Sequence, residues 1–311
     1  MDKQLLNRRQ FGFWLTLGSS LAVGPLVVAP SAAWARTGSA TVKLPGGTIV
    51  PALGQGSANL GQGRRPEAAE AEALRTGLSL GMTLIDTAEM YGGGRSEKLI
   101  GVAIGDQRDR VFLVSKVSPN HVAGDGIARA CDASLARLGT DHLDLYLLHW
   151  PSRDKALPSI VAAFESLRER GKIRAWGVSN FTVGDMEHLF RVPNGNRCAT
   201  NQVLYNLGNR DIERDLLPWC RQHGMPVMAY SPLGGPGASL LRDPTLARIA
   251  AAHGCAAAAV ALTWTIRNGD VVAIPESGST EHVKENAAAL SLTLTPDEFH
   301  TLEAAYTSSR R

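Results

Sequence analysis

Residues 143–149 read Leu143-Asp144-Leu145-Tyr146-Leu147-Leu148-His149, and the phase of this short run decides the fold. Side chains alternate along an extended strand, so Leu143, Leu145, Leu147 and His149 share one face. That face is apolar until its carboxyl end, where a single ionisable residue stands. Two earlier runs repeat the arrangement: Met82, Leu84 and Asp86 in one, Phe112, Val114 and Lys116 in the other. Further apolar runs occupy 52–56, 173–178, 199–203, 226–230 and 271–274, which with 82–86, 111–116 and 143–149 makes eight. Helical patterns lie between them, among them Pro66 to Leu80, Gly126 to Leu138, Leu157 to Arg170, Arg210 to His223 and Pro244 to Ala252. A strand-plus-helix unit every 25–40 residues or so is what parallel strands joined by crossover helices require. Eight such units predict an α/β fold, a closed (β/α)8 TIM barrel. Ahead of it, Thr41 to Leu44 and Thr48 to Val50 flank Pro45-Gly46-Gly47 and predict an N-terminal β-hairpin. The competing fold is a doubly wound open sheet, which opens with a Gly-x-Gly-x-x-Gly turn. Gly54-Gln55-Gly56 lacks the third glycine, and Gly92-Gly93-Gly94 follows no strand.

The 311 residues are 44% hydrophobic and 20% charged, a globular balance that excludes disordered, collagenous and coiled-coil classes. The net charge is +3, of which Asp2, Lys3, Arg8 and Arg9 account for +2 and leave the body at +1. A near-neutral body has no electrostatic reason to seek nucleic acid or anionic lipid. Cys131, Cys198, Cys220 and Cys255 show no metal or thioredoxin spacing, so buried free thiols are expected and no metal site.

The first 35 residues read as a separate element. Arg8-Arg9 stands before an apolar stretch from Phe11 to about Ala29, and Ala33-Trp34-Ala35 follows as a small-x-small cleavage site. Paired arginines with Phe11 two residues on resemble the twin-arginine type of export signal. A stretch this short, broken by Gly18, Gly24 and Pro25, makes a poor membrane span. The expected division is a signal at 1–35 and a barrel at 36–311. The destination is the periplasm, or the cytoplasm if the signal is not used.

Barrel active sites are assembled at the carboxyl ends of the strands. Asp86, Lys116 and His149 therefore converge on one mouth, with Tyr91 on the loop five residues past Asp86. A carboxylate keeps the neighbouring ammonium charged, and that ammonium is expected to lower the pKa of a nearby tyrosine. Such a tyrosine can give a proton to a carbonyl oxygen that a histidine orients. Taken singly, each could be a buried ion pair or a core histidine. Four at matched positions favour a site.

At these residues the chain resembles the aldo-keto reductase family. Gly81-Met82-Thr83-Leu84-Ile85-Asp86-Thr87-Ala88-Glu89-Met90-Tyr91-Gly92 is similar to one family signature, and Leu135 through Pro151, ending Leu147-Leu148-His149-Trp150-Pro151, to a second. Similarity continues through Gly177-Val178-Ser179-Asn180-Phe181, Asn201-Gln202-Val203 and Ala229-Tyr230-Ser231-Pro232-Leu233, and spans 41–305. The resemblance implies an NAD(P)H-dependent oxidoreductase that reduces aldehydes or ketones to alcohols. Tyr91 would be the general acid/base, tuned by Lys116 and Asp86, with His149 orienting the carbonyl. Ser179, Asn180 and Gln202 would hold the nicotinamide carboxamide, and Tyr230 would stack on the ring. Ser231, Pro232 and Leu233 would follow the pyrophosphate, with Gly56, Ser57 and Asp86 near the cofactor. Ser277, His282 and Asn286 complete the implied cofactor set.

The sequence departs from the family at one stretch. Many NADPH-using members carry Ile-Pro-Lys-Ser, and this chain has Ile274-Pro275-Glu276-Ser277, with His282 where an arginine is usual. A glutamate facing the adenosine ribose would oppose a 2′-phosphate and accept from a plain 2′-hydroxyl, whereas one that points to solvent would leave Ser277 and His282 to contact the phosphate. NADP(H) is expected on family habit, with NAD(H) open. The segment after Pro151 and the tail past Tyr306 are short, and Ala58 stands where an aromatic is common, so an open pocket for a small carbonyl substrate is expected on a monomer. Two other readings compete. One is a non-catalytic nicotinamide-binding regulatory or sensor subunit, the other a Schiff-base aldolase using Lys116.

Overall fold

The computed structural model describes residues 40–152, 157–235 and 239–307, so the twin-arginine-like segment lies outside the described residues. The N-terminal hairpin forms as expected. Strands β1 (Thr41–Lys43) and β2 (Ile49–Pro51) pair antiparallel, with Val42 opposite Val50. Then come eight parallel strands: β3 (Gln55–Gly56), β4 (Leu84–Asp86), β5 (Phe112–Val117), β6 (Leu143–Leu148), β7 (Ile173–Ser179), β8 (Asn201–Leu204), β9 (Val227–Tyr230) and β10 (Val271–Ala273). Each pairs with its neighbour in sequence, from β3 to β10.

The seam between first and last strand is closed by the chain that precedes β3. Gly54 N–H donates to Ala273 O and Ala273 N–H to Ala52 O, each at 2.8 Å, and Gly56 N–H donates to Pro275 O at 2.9 Å. The expected strand 52–56 is thus divided. Residues 52–54 face β10, and only Gln55 and Gly56 reach β4. This closure is what distinguishes the (β/α)8 barrel from an open sheet.

The α-helices are α1 (Glu67–Ser79), α2 (Arg95–Ile104), α3 (Gly126–Leu138), α4 (Leu157–Glu169), α5 (Val183–Phe190), α6 (Leu216–Gln222), α7 (Pro244–Ala252), α8 (Ala257–Thr265), α9 (Thr280–Ala287) and α10 (Pro296–Thr307), with short 3-10 turns between elements. The helix expected from Arg210 begins later. Pro218 is tolerated only in a first helical turn, so α6 starts at Leu216, where the Asp215 carboxylate accepts the Leu216 N–H.

The alternation of each strand sorts its side chains into two cores. Leu53, Met82, Leu84, Val114, Leu145, Leu147 and Met228 pack together inside the barrel. Ile85, Leu113, Tyr146, Leu148, Trp176 and Val227 pack outward against the helices. Leu143, read above as inward, joins the outer layer instead. Val42, Leu44 and Val50 of the hairpin belong to the inner cluster, so the hairpin closes the barrel floor. With the floor filled, the cavity that holds the strand-end residues opens at the carboxyl mouth. The four cysteines are free thiols, three of them buried. No single helix among the described residues is long and apolar enough to cross a membrane.

Candidate active site

Asp86 ends β4, Lys116 lies one residue before the end of β5, and His149 follows β6 directly. Register lines them up: Asp86 sits opposite Val114, and Lys116 opposite Leu147, so Lys116 stands one inward position above Asp86. Tyr91 is brought in by the loop after β4. Gly92, Gly93 and Gly94 follow it at φ 58°, 64° and 87°, left-handed values that glycine adopts without steric cost. They turn the chain back toward α2 within three residues and leave the Tyr91 ring over the barrel.

The Lys116 ammonium is fully enclosed and uses all its N–H groups. It donates to Asp86 Oδ2 at 2.6 Å, to Thr87 O at 2.8 Å and to Tyr91 Oη at 3.1 Å. Burial works against its charge, but Asp86 and Tyr91 outweigh it, and Lys116 sits above the usual lysine value. A Schiff-base nucleophile needs a neutral, free amine. This lysine is neither, which disfavours the aldolase reading.

Tyr91 corrects an expectation. Burial raises its phenol above the ordinary value of 10.0, and the pull of Lys116 does not reverse this, with Asp86 pushing the same way as burial. Tyr91 is therefore protonated at neutral pH. Because the lysine donates to the phenol oxygen, the phenol proton is directed elsewhere, toward the cavity. His149 meets Tyr91 edge-on, with centroids 5.6 Å apart. Burial, and then Lys116, push the imidazole down to about 3, so His149 is neutral. A neutral imidazole has one N–H. Its Nδ1 is buried with no partner among the described residues, and the ring lines the cavity described next.

Above these groups opens a cavity of about 480 Å3. Its walls include Gly56, Ser57, Asp86, Tyr91, His149, Ser179, Asn180, Gln202, Tyr230, Ser231, Pro232 and Leu233. Their polar groups form a chain. Gln202 Nε2 donates to Asp86 Oδ1 at 2.7 Å, Ser179 Oγ to Gln202 O at 2.8 Å, and Asn180 Nδ2 to Ser179 Oγ at 3.0 Å. Tyr230 Oη donates to Asn180 Oδ1 at 3.0 Å, and Ser57 Oγ to Asp86 O at 2.8 Å. Asn180 and Ser231 are held at φ 63° and 48°, a backbone cost usually met where function needs it. Amide, hydroxyl and aromatic groups on one wall match a carboxamide-bearing ring, which needs both donors and acceptors. The cavity residues fit a nicotinamide.

Other expected residues fall elsewhere. Ser277 and His282 line a second cavity beside the first, and Asn286 is buried and lines neither. Glu276 neither points to solvent nor stands alone. Its Oε2 accepts the Asn59 N–H at 2.7 Å and its Oε1 the Asn59 side-chain amide at 2.9 Å. Sequence reasoning missed Asn59, Arg64 and Trp150, which also line the first cavity. It missed Glu97 as well. That buried carboxylate accepts from Ser115 Oγ at 2.7 Å and Arg137 Nε at 2.6 Å, tying α2 to β5 and α3. Ser96-Glu97 lies just past the tyrosine loop, but only its burial marks its part.

Known proteins resemble this chain over most of its length. The sequence model described as "Aldo/keto reductase family" matches residues 52–307. The chain is 50% identical over 268 residues to "Methylglyoxal reductase YeaE" of Escherichia coli (strain K12), covering 85% of this chain and 94% of that protein. It is 33% identical to "Glyoxal reductase" of Bacillus subtilis (strain 168), covering 85% and 92%. A crystal structure of an aldo/keto reductase from Klebsiella pneumoniae in complex with NADP and acetate superposes with a TM-score of 0.84 at 47% identity, covering 88% of this chain and 97% of that one. A second, from the same organism in complex with NADPH, also gives 0.84, at 46% identity and coverage of 88% and 98%. The chain belongs to the aldo/keto reductase family and is an NAD(P)H-dependent oxidoreductase that reduces aldehydes or ketones.

Proposed function

We propose that Tyr91 is the general acid of this reduction, that Lys116 and Asp86 tune it, and that His149 orients the substrate carbonyl. The observation that carries the reading is the Lys116 ammonium, bonded at once to Asp86 and to the Tyr91 oxygen beneath the cavity. A reduced nicotinamide, when bound, supplies the hydride to the carbonyl carbon. His149 Nε2–H holds the carbonyl oxygen within reach of the Tyr91 hydroxyl. Tyr91 then gives its proton to that oxygen, and the adjacent ammonium stabilises the phenolate left behind. Asp86 keeps the ammonium charged through the step. Ser179, Asn180 and Gln202 would hold the carboxamide, Tyr230 would stack on the ring, and Ser231, Pro232 and Leu233 would run along the pyrophosphate, with Gly56 and Ser57 near the cofactor.

NADP(H) is the favoured cofactor, in line with the NADP-bound relatives. The substrate is a small aldehyde or ketone, and 2-oxoaldehydes such as methylglyoxal are the class the named relatives suggest. A small, open cavity with Ala58 on its wall suits them. The enzyme acts as a monomer, and residues 1–35 export the folded barrel at 36–311 by the twin-arginine route to the periplasm. The test of substrate class is to follow NADPH absorbance with methylglyoxal, glyoxal and larger aldehydes. Turnover falling as the aldehyde grows supports the reading. No NADPH consumption with either dicarbonyl would sink it.

A further inference from the structure

We propose that Arg64 and Arg65, on the loop between β3 and α1, supply the positive charge that meets the adenosine-side phosphate of the cofactor in the second cavity. This rests on the NADP(H) reading above.

Four observations lead there. The two cavities are contiguous, because Asn59, Arg64 and Glu276 line both, so a ligand whose ring fills the first can extend into the second. The second measures about 610 Å3, room enough for a phosphorylated ribose. Both arginines line it, both are exposed, and neither guanidinium has an ion-pair partner among the described residues. Ser277 and His282 line the same cavity. A phosphate dianion wants such a fork of unpaired donors.

The two carboxylates in the same wall are already engaged, and by the arginine loop itself. Both Glu276 oxygens accept from Asn59, and the buried Glu70 accepts the Gly61 N–H at 2.7 Å. These bonds pin residues 59–61 from two sides just ahead of the arginines. Glu276 thus acts as a clamp on the phosphate-binding loop. The cation that the Ile274-Pro275-Glu276-Ser277 stretch does not supply comes from the loop between β3 and α1, which lines the same cavity.

The test is calorimetric binding of 2′,5′-ADP and 5′-AMP, which carry the adenosine side without the nicotinamide, to the full chain and to Arg64→Ala, Arg65→Ala and Glu276→Ala. NADPH and NADH are titrated alongside by tryptophan quenching. Both arginines are at the surface, so the variants should fold, as thermal melts will verify. Each arginine variant should lose about five- to tenfold in 2′,5′-ADP affinity, less at high salt, with 5′-AMP within about twofold of wild type. Glu276→Ala should weaken both nucleotides and leave their ratio near wild type. A ratio unchanged in both arginine variants, with NADPH still preferred, overturns the arginine assignment and leaves NADP(H) use standing. A ratio that rises about tenfold in Glu276→Ala also overturns it, because Glu276 would then be the charge that faces the phosphate. Wild type without preference for either phosphorylated nucleotide removes the NADP(H) reading and this one together.

Discussion

Lys116 has three N–H groups and three acceptors, so its ammonium is as satisfied inside the barrel as in water. His149 is the opposite case, a half-buried imidazole whose Nδ1 finds no partner among the described residues. Burial, and then Lys116, holds it down to about 3 from an ordinary 6.5. Between those two values the unfolded chain binds a proton there and the folded chain does not. Stability therefore falls as pH is lowered from about 6.5 toward 3 and is unaffected by His149 above that window. Urea unfolding of wild type and His149→Gln at pH 7 and pH 5 should reveal it. Wild type is expected to lose roughly 1–2 kcal/mol more than the variant across that interval. Equal losses would mean that His149 titrates normally in the folded protein.

Elements place these residues by two different devices. Strands place Asp86, Lys116 and His149 through alternation and register, and both were legible because an apolar run ending in one ionisable residue has a single inward phase. The glycine loop places Tyr91 through backbone geometry. Gly94 stands at φ 87°, and a Cβ there would meet the Arg137 side chain at 2.6 Å. Gly94→Ala should destabilise the protein by about 1–3 kcal/mol and lower turnover, because Arg137 must leave Glu97 and the tyrosine loop shifts. Thermal melts and turnover at saturating NADPH check this, and an unchanged rate would mean that the loop does not position Tyr91. What stayed hidden in the sequence has physical reasons. Whether Lys116 lowers the Tyr91 pKa depends on burial, which a list of neighbours does not contain. The partner of Glu276 is Asn59, 217 residues away, on a loop with no periodic pattern. Ala52 to Gly54 was placed in one strand because its pairing with β10 is a property of closure.

At the scale of the molecule, the hairpin and the mouth divide the labour. Leu44 is buried in the inner core at the floor, far along the barrel from the cavity. Leu44→Ala should cost about 2–3 kcal/mol in denaturant unfolding yet leave NADPH affinity within about twofold. A matching loss of NADPH binding would show that floor and mouth are coupled. The proposed export signal is tested separately. Changing Arg8 and Arg9 to Lys should retain full-length, active protein in the cytoplasm. Continued appearance outside it of a chain beginning at Arg36 would contradict the twin-arginine assignment.

On the proposed mechanism the Tyr91 hydroxyl donates the proton while the rest of the mouth binds and orients. Tyr91→Phe removes one oxygen and little else, and the most direct measurement is its turnover beside its NADPH affinity. The expected result is a loss of about 10²–10⁴-fold in kcat with the dissociation constant for NADPH within about threefold of wild type. A variant that keeps more than about a tenth of wild-type turnover would contradict the account, because a group that supplies the proton cannot be removed at so small a cost.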